Sequence, residues 1–426
     1  YKNYVSTFKR LVDYNSQQSK EYAFFDDKNK YIAEMSNFNK IPGSPIAYWV
    51  STKMIDAFDN RKIGDLGNPR QGMIPGNVNE FLRLWYEVGF NRIGFNHNNS
   101  DDIVEYKYKW FPYNKGGAFR RWYGNMEYII NMENNGYDIK YSGKNNNYRL
   151  REPELYFKEA ITWSKISSGS FSARYMPVGN LFDIAGCCIF DLGTRLYYIL
   201  GYTNSKVNSS LLSLISPTLN YEVDHIKKLP VRIDNLKVKE VNSIVESSIL
   251  LSKQDWDFFE TSWDYQIHPL VKLKMLNGYS DDRTGLNCTI KSAFANWQGD
   301  CNKRFNTLKS NEEQLNRIFI DIYGLQEELT PEVEDKDVTV RKADLVRDIK
   351  SLISYAVGCM FGRYSLDVEG LAYAGGQWDD SRYKSFIPDV DNIIPICDDE
   401  YFDDDIVGRF VKFVEVVYGK DSLEDN

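Results

Sequence analysis

The stretch KWFPYNKGGAFRRWYGN, residues 109–125, sets cations, flat rings and turn-forming residues side by side. Just upstream, Tyr106, Tyr108 and Trp110 alternate with Lys107 and Lys109. At strand period two, that alternation puts rings on one face and ammonium groups on the other. Pro112 and the pair Gly116-Gly117 then break the strand, and Arg120, Arg121, Trp122 and Tyr123 follow. From Glu105 to Tyr123 there are five Lys and Arg against one acid, in a chain whose net charge is −8. Two readings fit. A cationic loop with interleaved rings suits a phosphate backbone and unstacked bases. A packed hairpin, with its rings in a core and its cations solvated, has the same composition. This stretch alone does not choose between them.

The 426 residues exceed one ordinary core and predict two to three domains. With 42% hydrophobic and 15% aromatic residues the composition is that of a folded chain rather than a disordered one. The apolar run from Phe182 to Leu200 is interrupted by Asp183, Asp191 and Arg195, so no membrane span is expected. Cys187, Cys188, Cys288, Cys301, Cys359 and Cys397 form no CxxC pair, which points to a reducing, cytoplasmic setting. His97, His225 and His268 are too scattered to suggest zinc. The chain starts at YKNYVSTFKRLVDY without an initiator Met, and is expected to be a segment of a longer polypeptide. Charge is uneven. Residues 1–250 hold 32 Lys and Arg against 26 Asp and Glu, a net +6, and residues 251–426 hold 20 against 34, a net −14. A basic front suits a polyanion and an acidic rear suits a protein partner, although acidic helices also serve plain solubility.

Taken in order, Tyr4, Phe8, Leu11 and Tyr14 are spaced as a helical stripe. IPGSPIAYWVS (41–51) leads into a short apolar strand, and a short helix is expected from Met54 to Phe58. In RQGMIPGNVNEFLRLWYEV (70–88), Gly72, Pro75 and Gly76 make a loop that Asn77 or Asn79 can cap, ahead of an amphipathic helix through Phe81, Leu84, Trp85 and Val88. Free N–H groups at such a loop can meet an anion, but with no G-x-x-x-x-G-K-[ST] pattern a plain turn fits as well. From Asn125 to Ser210 short strands are expected, including YIINM, YDIKY, YFKEAITWS and FSARYM, with a polar loop at Gly143–Tyr148. Arg174, in the middle of one of them, faces either a groove or solvent. SPTLNYEVDHIKKLPV predicts a turn and a strand ending at Leu229-Pro230. Helical stripes follow at Val238–Ile249, at Leu308–Leu325 in a heptad register ended by Thr330-Pro331, at Lys342–Met360, and after the acidic CDDEYFDDD (397–405) up to Tyr418.

No catalytic signature is present. There is no G-x-S-x-G, no H-E-x-x-H and no G-x-G-x-x-G. An adenine methyltransferase needs an Asn/Asp-Pro-Pro-aromatic motif to hold the flipped base, and Asn68-Pro69-Arg70-Gln71 lacks the second proline and the ring. The chain is therefore expected to bind or read rather than to catalyse, with no catalytic, cofactor or metal residues of its own.

Seven motifs in consistent order carry a resemblance: IPGSPIAYWVS, RQGMIPGNVNEFLRLWYEV, KWFPYNKGGAFRRWYGN, YFKEAITWS, SPTLNYEVDHIKKLPV, NEEQLNRIFIDIYGLQEELTPEV and SYAVGCMFGRYSLD. Together they resemble the C-terminal, target-recognition part of the PglX family, the adenine-specific DNA methyltransferases of BREX phage-defence systems, which are related to type IIG restriction-modification enzymes. The sequence departs from the family pattern at Val78, where an acidic residue is usual, at Ala118, where Glu usually follows the double glycine, and at Asp224-His225 in place of Gly-Asp.

The resemblance implies a mixed α/β (α+β) chain. Residues 1–40 would be the tail of a preceding methyltransferase domain and a linker. A strand-rich target-recognition domain would span 41–235, a helical spacer 236–330 and a mostly helical C-terminal domain 331–426. S-adenosylmethionine would bind in a methyltransferase domain outside the chain. The expected partner is double-stranded DNA, and other BREX proteins and a DNA-mimicking phage inhibitor are further partners that the reading admits. The alternative is a scaffold that docks defence proteins and touches DNA incidentally. Lys107, Lys109, Lys115, Arg120 and Arg121 are the expected phosphate contacts. Trp110, Tyr113, Trp122, Tyr123 and Asn125 are expected at bases, and Arg70, Gln71, Asn77 and Asn79 form a second group on the glycine loop.

Overall fold

A computed structural model describes residues 4–142, 147–167, 169–271 and 289–425. Parts of the polar loop at Gly143–Tyr148, and Cys288, lie outside the described residues. Among the described residues the strands are β1 (Val5–Lys9), β2 (Lys30–Glu34), β3 (Asn68–Arg70), β4 (Leu82–Leu84), β5 (Trp110–Asn114), β6 (Tyr128–Asn131), β7 (Ala160–Ser164), β8 (Ala173–Met176), β9 (Leu181–Phe182) and β10 (Gly186–Phe190). They make a β1-β2 hairpin, a four-stranded sheet ordered β3-β10-β7-β8 and a second ordered β4-β6-β5-β9. Both four-stranded sheets are antiparallel except for the β5–β9 pair.

Among the described residues, helices of eight or more regularly wound residues accompany them: α1 (Gln17–Phe25), α2 (Leu196–Thr203), α3 (Lys206–Ile215), α4 (Val238–Asp257), α5 (Ile290–Tyr323), α6 (Leu345–Met360) and α7 (Ile406–Tyr418). The mixed α/β class is as expected. At 34 residues, α5 is roughly 50 Å long. Its two halves serve different cores. Leu308, Leu315 and Phe319 join the large core under the first sheet, with Trp163, Leu196 and Val241. Ala293, Trp297 and Cys301 join a rear core with Leu352, Tyr355 and Phe413. The first of these cores draws buried residues from both sides of 235/236, from Ile41 to Val340. The expected boundary at 235/236 therefore falls within one packed body.

Several local expectations are corrected. The stripe through Tyr4, Phe8 and Leu11 is a strand at Val5–Lys9, because those residues pair with Lys30–Glu34 and Phe8 stacks on Tyr48 at 4.6 Å. IPGSPIAYWVS is a series of turns. The amphipathic helix read through Phe81–Val88 lasts one turn, Val78–Phe81, before β4 takes over and pairs with β6. YDIKY lies in a helical segment, Glu133–Tyr141, entered through three left-handed residues, Asn134, Asn135 and Gly136. The strand expected before Leu229-Pro230 is a short helix, Val223–Lys227. The long heptad helix stops at Gly324, whose φ of 70° closes it, well before Thr330-Pro331. α4, α6 and α7 fall where their apolar stripes place them.

Candidate nucleic-acid interface

The strand expected to alternate through Tyr106, Tyr108 and Trp110 begins only at Trp110, and Pro112 sits inside it rather than ending it. The neighbouring β9 covers only Tyr113 and Asn114, so the missing N–H of Pro112 breaks no β9 pairing. Every residue of β5 is buried. Phe111 and Tyr113 enter one core with Phe182, while Trp110 enters another with Trp85 and Ile129 on the opposite face. The Tyr113 hydroxyl donates to Asp183. Burial pushes both that phenol and the Asp183 carboxyl up from their ordinary values.

Gly116 and Gly117 have φ of +80° and +142°, and a Cβ on either would collide with Ala185 O or the Asn125 side chain, at 2.8 Å in each case. The double glycine therefore serves backbone packing. Beyond it, the backbone of Trp122 joins the edge of the first sheet: its N–H donates to Ala173 O at 2.9 Å and its carbonyl accepts from Tyr175 N–H at 2.8 Å. That edge position turns Arg120, Arg121 and Trp122 into the gap between the sheets and the long helices. Arg120 Nη2 meets Asp255 of α4 at 2.6 Å, and its Nε donates to Tyr123 O at 2.9 Å. Arg121 Nη1 meets Glu312 Oε2 of α5 at 2.9 Å, and Trp122 Nε1 donates to Glu312 Oε1 at 2.7 Å. Tyr123 packs with Met126 and Trp256. Burial pushes Glu312 up against the pull of Arg121 and Trp122.

The expectation that this surface lies open is therefore corrected. Trp110, Tyr113, Trp122 and Tyr123 are 7%, 1%, 1% and 5% exposed, and Arg120 is 8% exposed. The acids that meet Arg120, Arg121 and Trp122 lie 135 to 191 residues away in the chain. Arg120, Arg121, Trp122 and Tyr123 form a clasp that fixes the sheets to α4 and α5. Asn125 closes the same loop by donating from Nδ2 to Ala118 O at 2.9 Å. Arg174 is neither in an open groove nor solvated. It is fully buried, with Nη1 donating to Arg120 O at 3.3 Å, and desolvation lowers its pKa to about 10.

The remaining candidates are accessible, and several gather in one place. Lys107 is exposed, in a left-handed conformation with φ of 55°. Lys109 reaches Glu133 at 3.2 Å, a partly exposed pair worth little to stability. Lys115 holds its ammonium 4.6 Å over the Tyr128 ring. A cavity of about 450 Å³ is lined by Arg83, Lys109, Trp110, Asn131, Tyr137 and Tyr141, among others. Tyr137 and Tyr141 stand one helical turn apart, 4.9 Å between ring centres, and are 57% and 67% exposed. Asn131 donates to Asp138 at 3.0 Å at its wall. Glu80 also lines it and accepts from Asn77 at 3.0 Å, while Arg83 donates to Asn79 O at 2.7 Å.

So Lys109 and Trp110 line one groove, and Asn77 and Asn79 border it through their bonds to Glu80 and Arg83. Arg70 pairs instead with Glu152 at 3.3 Å, with the half-buried Gln71 beside it. Gly72 itself is a packing residue, because a Cβ there would lie 2.0 Å from Phe182 O. Sequence reasoning missed Arg83, Tyr137 and Tyr141. The i, i+4 spacing of the two tyrosines was the available signal, and a strand reading of YDIKY hid it.

No family model matches the chain. Two curated proteins do. An adenine-specific methyltransferase PglX from Lacticaseibacillus casei (strain Zhang) is 44% identical over 438 residues, covering 99% of this chain and 36% of that protein. An adenine-specific methyltransferase BrxX from Escherichia coli O9:H4 (strain HS) is 35% identical over 454 residues, covering 99% of this chain and 35% of that protein. The chain thus spans about a third of the length of the relatives it matches. The chain is similar to about a third of the PglX and BrxX adenine-specific methyltransferases.

Proposed function

We propose that this chain is the DNA-recognition portion of a BREX adenine-specific methyltransferase: it docks a duplex, reads a site and presents the target adenine for methylation. The observation that carries the reading is the 44% identity, over 99% of the chain, to a protein named for adenine-specific methylation. Residues 41–235 supply recognition, 236–330 a spacer and 331–426 a C-terminal unit. S-adenosylmethionine, the methyl donor, belongs to a catalytic core elsewhere in the longer polypeptide, and the setting is cytoplasmic.

The groove around Lys109 supports this role. Lys107, Lys109, Lys115 and Arg83 supply positive charge for phosphates, which fixes register on the duplex without reading sequence. The exposed Tyr137–Tyr141 pair offers flat faces to stack on a base or to wedge a base step, as extrusion of an adenine requires. Arg70, Gln71, Asn77 and Asn79, on the adjoining loop, have the donor and acceptor groups that base edges need. Trp110 lines the groove, Tyr113 is buried in the same strand, and Arg120, Arg121, Trp122, Tyr123 and Asn125 serve the fold rather than DNA contact.

The test is DNA retention by the variants Lys109→Ala and Tyr137→Ala/Tyr141→Ala. Retention is expected to fall in both, and the slope of log affinity against log salt to flatten by about 0.9 in the lysine variant. Unchanged retention in both would remove the groove from the account. One feature favours a protein-docking role as well. Ile393, Val390 and Ile396 are 69%, 96% and 86% exposed beside the acidic run at 398–405. Val390→Ser/Ile396→Ser should then disturb a protein complex and leave DNA retention intact.

A further inference from the structure

A second groove, built from none of the elements that line the first, holds three arginines brought together from distant parts of the chain. Arg61 lies before the short helix Ile63–Leu66, Arg195 lies at the start of α2, and Arg232 lies in the loop leading to α4. All three line a cavity of about 630 Å³. The rest of its lining is apolar or uncharged, including Asn60, Thr194 and Asn235, with no Asp or Glu among the described residues.

Arg232 is held ready. Its Nη1 donates to Ile322 O at 2.9 Å, and its guanidinium sits 5.4 Å from the Tyr323 ring centre. The backbone that carries it is pinned, because Val231 N–H donates to Arg61 O at 2.7 Å and Arg232 N–H donates to the Tyr323 hydroxyl at 2.9 Å. Arg61 and Arg195 are exposed. None of the three has a carboxylate at ion-pair distance among the described residues. The acids nearest along the chain stand two residues from Arg61 and Arg232: Asp59 lies 3.7 Å from Lys40 Nζ, and Asp234 accepts from Leu236 N–H at 2.9 Å. Arg120 and Arg121, by contrast, are neutralised by Asp255 and Glu312. Three arginines lining one groove with no acid in its described lining favour an anion there, and their planar forks suit phosphate oxygens. The positive end of α4, whose Val238 lines the groove, acts in the same direction.

We infer that this groove is a second docking site for the phosphate backbone of duplex DNA, so that the chain grips its substrate at two separate places. The inference rests on the DNA-recognition reading and adds to it a contact that carries no base information. Its residues set affinity and salt dependence, and they leave site preference alone.

The experiment measures binding of a labelled duplex by the whole protein across a salt series. It compares wild type with Arg61→Gln, Arg195→Gln, the double variant, and Arg195→Lys. Both arginines are exposed and unpaired, so the variants should fold, and a thermal melt confirms it. The double variant is expected to flatten the slope of log affinity against log salt by roughly 1.8, about 0.9 per contact, equally for duplexes of different sequence, and Arg195→Lys to keep most of the slope. A double variant that binds with the wild-type affinity and slope overturns this site. Wild-type protein that retains no DNA at all defeats the recognition reading itself, and this site with it.

Discussion

At the scale of single residues, burial decides what a charge does. Arg120 and Asp255 are both almost wholly inside, at 2.6 Å, and each leaves an uncompensated buried charge if the other is removed. Arg120→Ala is therefore expected to cost about 3–5 kcal/mol, read as a drop in the urea midpoint. Arg174 is the contrasting case. Its guanidinium touches only the Arg120 carbonyl and, at 3.4 Å, the Ser164 hydroxyl. Arg174→Met should leave stability within about 1 kcal/mol of wild type or raise it, because a poorly compensated buried charge is exchanged for apolar packing. A large loss in Arg174→Met, or none in Arg120→Ala, would contradict these roles.

His268 gives a pH dependence. It is buried, its Nδ1 accepts from Leu270 N–H at 3.3 Å, and burial lowers its pKa to about 3. Unfolded, the same imidazole titrates near 6.5. Between those values the unfolded chain binds a proton that the folded one refuses, so stability falls as pH drops through 6.5 towards 3, by up to about 1.4 kcal/mol per unit. Urea unfolding at stepped pH should show wild type losing stability faster than His268→Gln across that window. Parallel curves would contradict it.

At the scale of elements, apolar period was the legible part. α4, α5, α6 and α7 each bury one face, and their stripes were visible as three- and four-residue steps. β6, β7 and β8 were equally plain as short apolar runs between turns. Where a segment's partner lies far along the chain, the period misled. Val5–Lys9 carries ring spacings that fit a helix, yet its backbone pairs with β2. Tyr137–Tyr141 fits either form, since i and i+4 share a face in both. The glycine loop shows a similar limit. Gly72 suggested an anion site, but it is small because its backbone lies against β9, donating from N–H to Asp183 O at 3.2 Å. Gly72→Ala should cost at least about 1–3 kcal/mol through that collision, seen as a lower melting temperature. A melt equal to wild type would show that the loop gives way freely.

At the scale of the whole molecule, the sheets and the long helices are one packed body joined by the Arg120–Asp255 and Arg121–Glu312–Trp122 clasp. The mixed class and the basic front half could be read from the residues alone. The place where charge is free could not, because neutralisation of the 120–121 pair depends on Asp255 and Glu312, and the Arg61, Arg195 and Arg232 groove depends on three distant loops. The clasp also sets how recognition can be transplanted. Moving residues 41–235 alone would separate Arg120 and Arg121 from their acids, so the unit to exchange is the whole chain.

The most direct measurement replaces the matching stretch of the Lacticaseibacillus casei PglX with this chain and maps methylated adenines across a genome. The account predicts that the modified sequence changes to a new site set by the inserted chain, and that it stays there when Tyr137 and Tyr141 are intact. Methylation that continues at the recipient's original site would contradict it.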